Sequence, residues 1–309
     1  MSKHISRVTI GLPVYNGAKY LEAALDSILA QTFTDFELII SDNASTDNTE
    51  EICKKYSAMD ERIRYHRNDK NLGAAPNFNQ VFFLSSSEYF KWSAYDDILE
   101  PEYLSKCIEV LDHKPEVVLC FTQVKLIDEN GKFLGEQRYN SNTSEDKPQD
   151  RFRNIALNTG NSAMPVFGLM RSKVAEKTGL IGAYPSSDVV FLAELSLYGP
   201  FYEIPDKLFY WRVHPEQSTK GEYACERDRV AWFKTAAKDK ISLPKWQYLF
   251  GFLRAIQHAP LSSSAQVYCY TQMIRWIMFP PHFRAMGKDL LLAIISLLNV
   301  RNRRLREAS

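Results

Sequence analysis

The sequence predicts an α/β fold: a mixed, mostly parallel sheet flanked by helices, with a helical C-terminal extension. Three observations lead to this prediction. Strand-like and helix-like periods alternate over the first hundred residues, which is the pattern of a parallel sheet covered by helices. The 309 residues are 45% hydrophobic and 24% charged, as in ordinary globular chains. From about residue 222 onward the pattern becomes helical and rich in aromatic residues.

The first hundred residues open with a strand and then alternate. Val8–Leu12 is apolar and β-branched, and it stops at Pro13 and the turn pair Asn16–Gly17. Apolar residues then recur at helical spacing between Leu21 and Leu29. The same patterns predict strands at 36–40, 63–66 and 89–92, a helix that is capped within 43–49 and runs to about residue 56, and a helix at 77–84.

The later elements are spaced more widely. They are, in chain order, a helix after Pro101, a buried strand at 117–122, a turn at 128–131, a polar loop at 140–150, a strand at 164–170, a helix from Ser187 and a strand at 208–213. We place a boundary near residue 220. It separates a sheet domain, residues 1–220, from a helical C-terminal region, residues 221–309.

Charge and cysteine content argue against several classes of protein. Lys and Arg number 38 and Asp and Glu 37, so a net charge of +1 gives no general attraction to nucleic acid. The five cysteines are far apart and form no Cys-x-x-Cys pair, so we expect reduced, mostly buried thiols. No apolar stretch of signal-peptide or membrane-spanning length is present, so we expect a cytoplasmic protein.

Two adjacent carboxylates, Asp96 and Asp97, follow the strand predicted at 89–92. Parallel sheets bind ligands outside the carboxyl ends of their strands. Neighbouring like charges cost stability unless a cation or hydrogen-bond donors neutralise them, and Mg²⁺ binds carboxylate oxygens together with substrate phosphates. The pair therefore indicates a divalent-metal site. The alternative is that one aspartate caps the following helix while the other is solvated.

Four sequence blocks give this pair a context. They are Thr9–Asn16 (TIGLPVYN), Ile40–Asp47 (ISDNASTD), Asn71–Gly73 (NLG) and Ala94–Asp97 (AYDD). In order and spacing they resemble the family-2 glycosyltransferases over roughly the first 215 residues. The resemblance implies a GT-A, Rossmann-like fold and inverting transfer from a nucleotide-diphosphate sugar, with Mn²⁺ or Mg²⁺ held by a D-x-D-like motif. Residues 1–100 would form the nucleotide-binding half and residues 101–220 the acceptor half.

The resemblance also implies roles for individual residues of the first half. Asp42 would accept a hydrogen bond from the imide N–H of uracil or thymine, unless it only caps the next helix. Asp97 would be the direct metal ligand and Asp96 a contact to the donor sugar or to a metal-bound water, and the two could exchange roles. The nucleotide-binding residues implied are Pro13, Tyr15, Asp42, Asn71 and Asp96.

Two positions of the first half depart from the family's pattern. Phe78 stands where many members have an arginine, so polar contacts to the donor at this point fall to Asn71 and Asn79. The alternative for both asparagines is helix capping and turn formation. Tyr95 stands where the metal motif usually has a carboxylate, so only Asp96 and Asp97 remain.

The second half supplies a base and a closing segment. Asp188, at the first turn of a predicted helix, resembles the second member of the family's acidic pair, whose first position is Ser187 here. Asp188 would deprotonate the acceptor hydroxyl, or it would only stabilise the helix start. The segment containing Arg212 and His214 resembles the family's R-x-H segment. Arg212 would then contact the diphosphate and His214 the metal, unless the segment is simply an exposed loop.

The last residues are basic and partly apolar. Residues 284–309 carry six Lys and Arg against two acids, a charge of +4. Leu290–Leu298 is apolar, but as a helix it is only about 14 Å long and cannot cross a bilayer. Two interpretations stay open: peripheral contact with an anionic membrane surface, or a packed C-terminal helix with a disordered basic end.

Together these inferences predict an inverting, metal-dependent glycosyltransferase of surface-glycan biosynthesis, of the polysaccharide, O-antigen or capsule type. The donor would be a UDP- or dTDP-sugar and the acceptor a hydroxyl of a glycan or lipid-linked glycan. We expect the protein in the cytoplasm, and a position at the inner face of the plasma membrane stays open. The alternatives are a nucleotidyltransferase on a similar sheet and a non-catalytic sugar-nucleotide-binding assembly subunit.

Overall fold

The computed structural model describes residues 5–158, 163–217, 230, 232–233 and 243–307. Within these residues nine strands form one mixed sheet. The strands are β1 Val8–Val14, β2 Phe36–Asp42, β3 Ile63–Arg67, β4 Tyr89–Trp92, β5 Ile98–Leu99, β6 Leu119–Ile127, β7 Phe133–Gln137, β8 Leu169–Arg171 and β9 Phe201–Arg212. The predicted mixed sheet with flanking helices and a helical C-terminal extension is confirmed.

Helices cover both faces of the sheet and continue beyond it. Those between the strands are α1 Ala18–Leu29, α2 Thr49–Met59, α3 Ala74–Phe83, α4 Tyr103–His113, α5 Pro148–Ala156, α6 Ser172–Ala175 and α7 Ser187–Ser196. The C-terminal helices are α8 Pro244–His258, α9 Ser263–Met278 and α10 Pro280–Glu307. Among the described residues, no helix is both long enough and apolar enough to span a membrane.

The strand order decides which loops meet. It is β3-β2-β1-β4-β8-β6-β9-β5, with β7 paired to β6. The first four strands are mutually parallel, and β8 is antiparallel to both β4 and β6. Because β9 is parallel to β6, the carboxyl ends of β1, β2, β4, β6 and β9 all lie at one edge. Residues that follow these strands are therefore brought together.

Two buried clusters hold the layers in place. On one face, Ile10, Leu12 and other side chains of β1 pack with α1, α2 and α4. On the other face, Trp92 and Phe191 belong to a cluster that also includes side chains of the C-terminal helices α8 and α9. Gly11 permits close packing here, because a Cβ at this position would lie 2.6 Å from Cγ2 of Val81.

Several boundaries differ from the sequence predictions. Met164–Phe167, expected in a strand, is a short 3-10 helix ahead of β8, because Pro165 has no N–H to donate to a sheet ladder. Helix α5 begins at Pro148, inside the expected loop at 140–150, since Phe152 and Ile155 bury one amphipathic face. The four described cysteines are buried free thiols. The boundary predicted near residue 220 and Cys225 lie outside the described residues.

Candidate active site

Four of the predicted site residues meet where β4 and β9 end. Asp96 and Asp97 follow β4, Arg212 is the last residue of β9, and His214 comes two residues later. The short strand β5 pairs with β9 immediately after the two aspartates, which places both segments side by side. The structure thus joins residues about 115 positions apart into one group.

Arg212 connects three backbone segments of this group. Its backbone N–H donates to Asp97 Oδ1 at 3.0 Å, and its Nε donates to the Asp96 carbonyl at 2.9 Å. Its Nη1 donates to the carbonyls of Asp128 and Glu129, at 3.1 and 3.2 Å. The arginine is buried. Its guanidinium therefore fixes the loops around the site, and a contact to diphosphate stays a prediction.

The carboxylate of Asp96 lies next to the imidazole of His214. Asp96 Oδ2 and His214 Nε2 are 2.8 Å apart, and the buried His214 ring packs 4.7 Å from the ring of Tyr20. Nδ1 of His214 is buried, and among the residues that the structure describes it has no hydrogen-bond partner. The Asp96 side chain is 15% exposed, whereas Asp97 is 5% exposed and bonded to Arg212. Asp96 is thus the more accessible carboxylate, which favours the exchanged roles.

The electrostatics of the aspartate pair favour a cation. Burial raises the pKa of Asp97 well above the usual value, and the neighbouring charge of Asp96 raises it further. Among the residues that the structure describes, no three His, Cys, Asp or Glu side chains converge as a complete metal site. One or two carboxylates with substrate phosphates suffice for Mg²⁺. Asp96, with Asp97 and His214 beside it, fits a site that the donor's phosphates complete.

Asp42 lies at the end of β2 and is fully buried. Its Oδ1 accepts from the Ser45 N–H at 2.8 Å, and its Oδ2 accepts from the Tyr65 hydroxyl at 2.9 Å. Arg67 Nε lies 3.6 Å from the same oxygen. These bonds fix the loop that follows β2, so a nucleobase would reach the carboxylate only after a local rearrangement.

The other predicted nucleotide residues line the neighbouring loops. Tyr15, just after β1, is exposed, whereas Pro13 is buried within the strand. Asn71 Oδ1 accepts from the Gly73 N–H at 2.8 Å and from Asn43 Nδ2 at 3.0 Å. Asn71 therefore shapes the turn that leads into α3. Its predicted contact to nucleotide is compatible with this position and stays a prediction.

Asn79 contacts the polypeptide backbone at both ends of its amide. Its Nδ2 donates to the Ile181 carbonyl at 2.9 Å, and its Oδ1 accepts from the Ile181 N–H at 3.1 Å. The residue thus joins α3 to the loop that precedes α7. The contact with the donor diphosphate that we predicted from the sequence would need the same atoms.

Asp188 lies in the first turn of α7, in a second group of residues. Its Oδ1 accepts from the Val189 N–H at 2.9 Å. Burial raises the pKa of Asp188 above the usual value for an aspartate. After burial, its negative charge is among the causes that raise the pKa of Tyr184 and of Tyr248. A carboxylate with a raised pKa is a stronger proton acceptor, as a general base requires.

Two residues that matter here are absent from the sequence prediction. Tyr20 contacts both the His214 ring and the Arg212 guanidinium, whose carbon lies 5.0 Å from its ring centroid. Asn43 bonds Asn71 and accepts from the Leu72 N–H. Tyr20 carries the pattern of an ordinary core aromatic. Asn43 belongs to the polar stretch 43–49, which predicts a helix cap but does not single out this residue.

Comparison with known proteins gives the family. Residues 9–179, more than half of the chain, match the model described as Glycosyl transferase family 2. An uncharacterized glycosyltransferase of Methanocaldococcus jannaschii is 34% identical over 131 residues, which are 42% of this chain and 45% of that protein. One of Haemophilus influenzae is 26% identical over 235 residues, 72% of this chain and 70% of that protein. The chain thus matches less than half the length of the Methanocaldococcus protein.

Solved structures with the same fold include two transferases with bound nucleotides. Residues 1–349 of S. aureus TarS in complex with UDP superpose with a TM-score of 0.57 at 17% identity, over 96% of this chain and 91% of that one. The mannosyltransferase PcManGT of Pyrobaculum calidifontis, in complex with GDP-Man and Mn²⁺, gives 0.51 at 17% identity, over 96% and 88%. Both are GT-A transferases. The chain therefore has a GT-A fold and belongs to glycosyl transferase family 2.

Proposed function

We propose that this glycosyltransferase moves a sugar from a UDP- or dTDP-sugar to a hydroxyl of a surface glycan or lipid-linked glycan, with inversion at the anomeric carbon. The observation that carries the proposal is the group formed by Asp96, Asp97, Arg212 and His214 where the strands end. The TarS structures with UDP and with UDP-GlcNAc support a pyrimidine nucleotide donor. We place the reaction in the cytoplasm, at the inner face of the plasma membrane.

The chain's own residues would divide the chemistry between two groups. Asp96 would face the donor's diphosphate, held in place by His214, while Arg212 and the buried Asp97 keep the surrounding loops rigid. Mn²⁺ or Mg²⁺ at Asp96 would offset negative charge on the departing diphosphate. Asp188 would take the proton of the acceptor hydroxyl as that oxygen attacks the anomeric carbon from the opposite face. Family membership favours this transfer over the nucleotidyltransferase and non-catalytic alternatives.

The base assignment gives a direct test. Asp188→Asn keeps the size of the side chain and removes the proton acceptor, so we expect transfer to fall about 10²- to 10⁴-fold. Stabilisation of the protein by UDP with Mn²⁺, measured as a thermal shift, should stay unchanged, since a ligand that binds only the native state raises its stability. Transfer is measured with UDP-sugars and a panel of glycan acceptors.

A matched control is Asp206→Asn, which removes a carboxylate in β9 that pairs with Lys106 at the surface. This variant should retain full transfer. Undiminished transfer by Asp188→Asn would refute the role of Asp188. The absence of any thermal shift with UDP, dTDP or their sugars in the native protein would refute the pyrimidine donor.

A further inference from the structure

The helices α9 and α10 expose several large apolar side chains. We call this set the C-terminal apolar surface; it consists of Ile274, Met278, Phe283, Leu291, Leu292 and Ile294. The two members on α9 are four residues apart and therefore lie on one face of that helix. Groups of large apolar side chains exposed to water are typical of interaction sites in soluble proteins.

The inner side of the same helices is already packed, which fixes the direction that the surface faces. Met286 and Asp289 of α10 are buried, and Asp289 Oδ2 accepts from the Lys245 N–H at the start of α8 at 2.8 Å. Trp276 is buried and stacks on His282 at 4.0 Å. The apolar surface is thus not part of the protein core, and the described residues leave it exposed.

Charge identifies the kind of partner. Residues 243–307 contain nine Lys and Arg and only two acids, a charge of +7, while the whole chain is +1. The rest of the chain therefore carries −6. One of the two acids, Asp289, is buried against the backbone of α8. Basic residues that flank an apolar helical face are the pattern of helices that bind anionic membrane surfaces.

We propose that the C-terminal apolar surface docks in the plane of an anionic lipid bilayer. The apolar side chains would enter the boundary between headgroups and acyl chains, and the basic residues would contact lipid phosphates. A second copy of the chain is the less favourable occupant, because face-to-face contact would bring two regions of charge +7 together. The proposal deepens the proposed function, because a protein docked on a bilayer would meet a lipid-linked acceptor. Only this identification of the acceptor rests on the proposed function.

The test is co-sedimentation of the full chain with vesicles. Vesicles of phosphatidylcholine mixed with phosphatidylglycerol should pellet the protein, and those of phosphatidylcholine alone should pellet much less. Added salt should weaken the binding because it screens the charges. The double variant Met278→Ser/Phe283→Ser should bind the anionic vesicles at least about tenfold more weakly, since it removes apolar area from the contact.

The control variant is Met59→Ser/Phe83→Ser. It changes the same residue types at nearly equal exposure, 71% and 70% against 72% and 66%, on other helices of the molecule. It should bind vesicles like the native protein. Equal pelleting of both double variants would overturn the proposal. So would a concentration-dependent dimer that only Met278→Ser/Phe283→Ser abolishes, without vesicle binding by the native protein.

This test is independent of the transfer reaction. The thermal shift with UDP and Mn²⁺ on both double variants reports the donor site, whose residues Asp96, Arg212 and His214 lie at the ends of β4 and β9 and not on α9 or α10. Loss of vesicle binding with the UDP shift retained supports the membrane surface. Vesicle binding by a native protein that shows no nucleotide shift would leave the surface assignment standing and refute the proposed donor instead.

Discussion

Lys91 is a lysine that the fold buries completely in β4. Its Nζ donates to the carbonyls of Trp92 and Phe167, at 3.0 and 2.5 Å. The rings of Tyr103 and Phe209 lie 4.8 and 5.4 Å from the nitrogen. Burial lowers the pKa of Lys91 to about 7, against partial opposition from nearby charges that include Asp97. The carbonyl oxygens and aromatic faces replace only part of the hydration that the ammonium group loses on burial.

The buried lysine predicts a pH dependence of stability. Because its pKa is about 7 in the folded state and 10.5 in the reference state, the unfolded chain binds more protons between these values. The contribution of Lys91 to the free energy of unfolding should therefore rise with pH, by at most about 1.4 kcal/mol per pH unit. Lys91→Met lacks this contribution, so the native protein should gain stability relative to the variant from about pH 7 to 9.

Urea unfolding at several pH values in this range measures the difference. Lys132→Met, at an exposed lysine, is the control, and its difference from the native protein should not change with pH. A difference between the native protein and Lys91→Met that stays constant over the range would show that Lys91 is charged in the folded state throughout.

Side chains of α3 and α7 hold the backbone of the loop between α6 and α7 in place. Gly179 N–H donates to the buried Glu194 Oε2 at 2.8 Å, and Asn79 holds both backbone groups of Ile181. Leu180 and Ser186 have φ of 52° and 66°, a left-handed conformation that is unfavourable for side chains other than glycine. The contacts with other elements therefore stabilise a strained backbone that leads directly to Asp188.

Loss of the Asn79 contact should displace the proposed base Asp188, which Asn79 does not itself contact. Asn79→Ala deletes both hydrogen bonds to Ile181, so we expect transfer to fall about ten- to hundredfold through misplacement of Asp188. The thermal shift with UDP should stay unchanged, because Asn79 would act only through the loop. Gln80→Ala, at the next position of α3, is the control. A loss of UDP binding in Asn79→Ala would instead support the donor contact that the sequence predicted.

The elements show where sequence reasoning succeeds. Strands β1, β2 and β4 have clear apolar runs and turn residues at their ends, so their positions were predicted within two residues. The parallel pattern placed Asp96 and Asp97 at the edge where ligands bind, whereas only the resemblance to the family's R-x-H segment brought Arg212 and His214 to the same site. The partners of Arg212 and Asn79 could not be predicted, because they are backbone atoms of segments some 80 to 115 residues away, and no periodicity reports such contacts.

The C-terminal helices complete the core against which the sheet packs. Phe252 of α8 and Trp276 of α9 are buried in the same cluster as Trp92 of β4 and Phe191 of α7. The ring of Phe152 on α5 lies 5.7 Å from that of Phe252. The C-terminal helices thus share a buried core with the sheet.

Truncation tests this shared core. A chain that ends after residue 242 exposes the face of α5 and α7 that packs on α8 and α9, so we expect loss of cooperative unfolding and strong binding of a hydrophobic dye. A chain that ends after residue 296 keeps the packed part of these helices and should unfold like the full protein. Cooperative, native-like unfolding of the shorter chain would show that residues 1–242 fold alone.

The antiparallel strand β8 bears on which parts of the sequence would determine the choice of donor and of acceptor. Because β8 is antiparallel to both β4 and β6, β4 and β6 run in the same direction. The loops that follow β6 and β9 therefore lie at the same edge of the sheet as the loops that follow β1, β2 and β4. Under the proposed function, Asp96 and Asp97 on the donor side precede β8 and the proposed base Asp188 follows it, so donor and acceptor preference would be encoded largely in separate stretches of the gene. Exchange of the segment between β8 and β9, which carries Asp188, between homologues should change the acceptor, while Asp96, Asp97 and the segment after β9 keep the nucleotide.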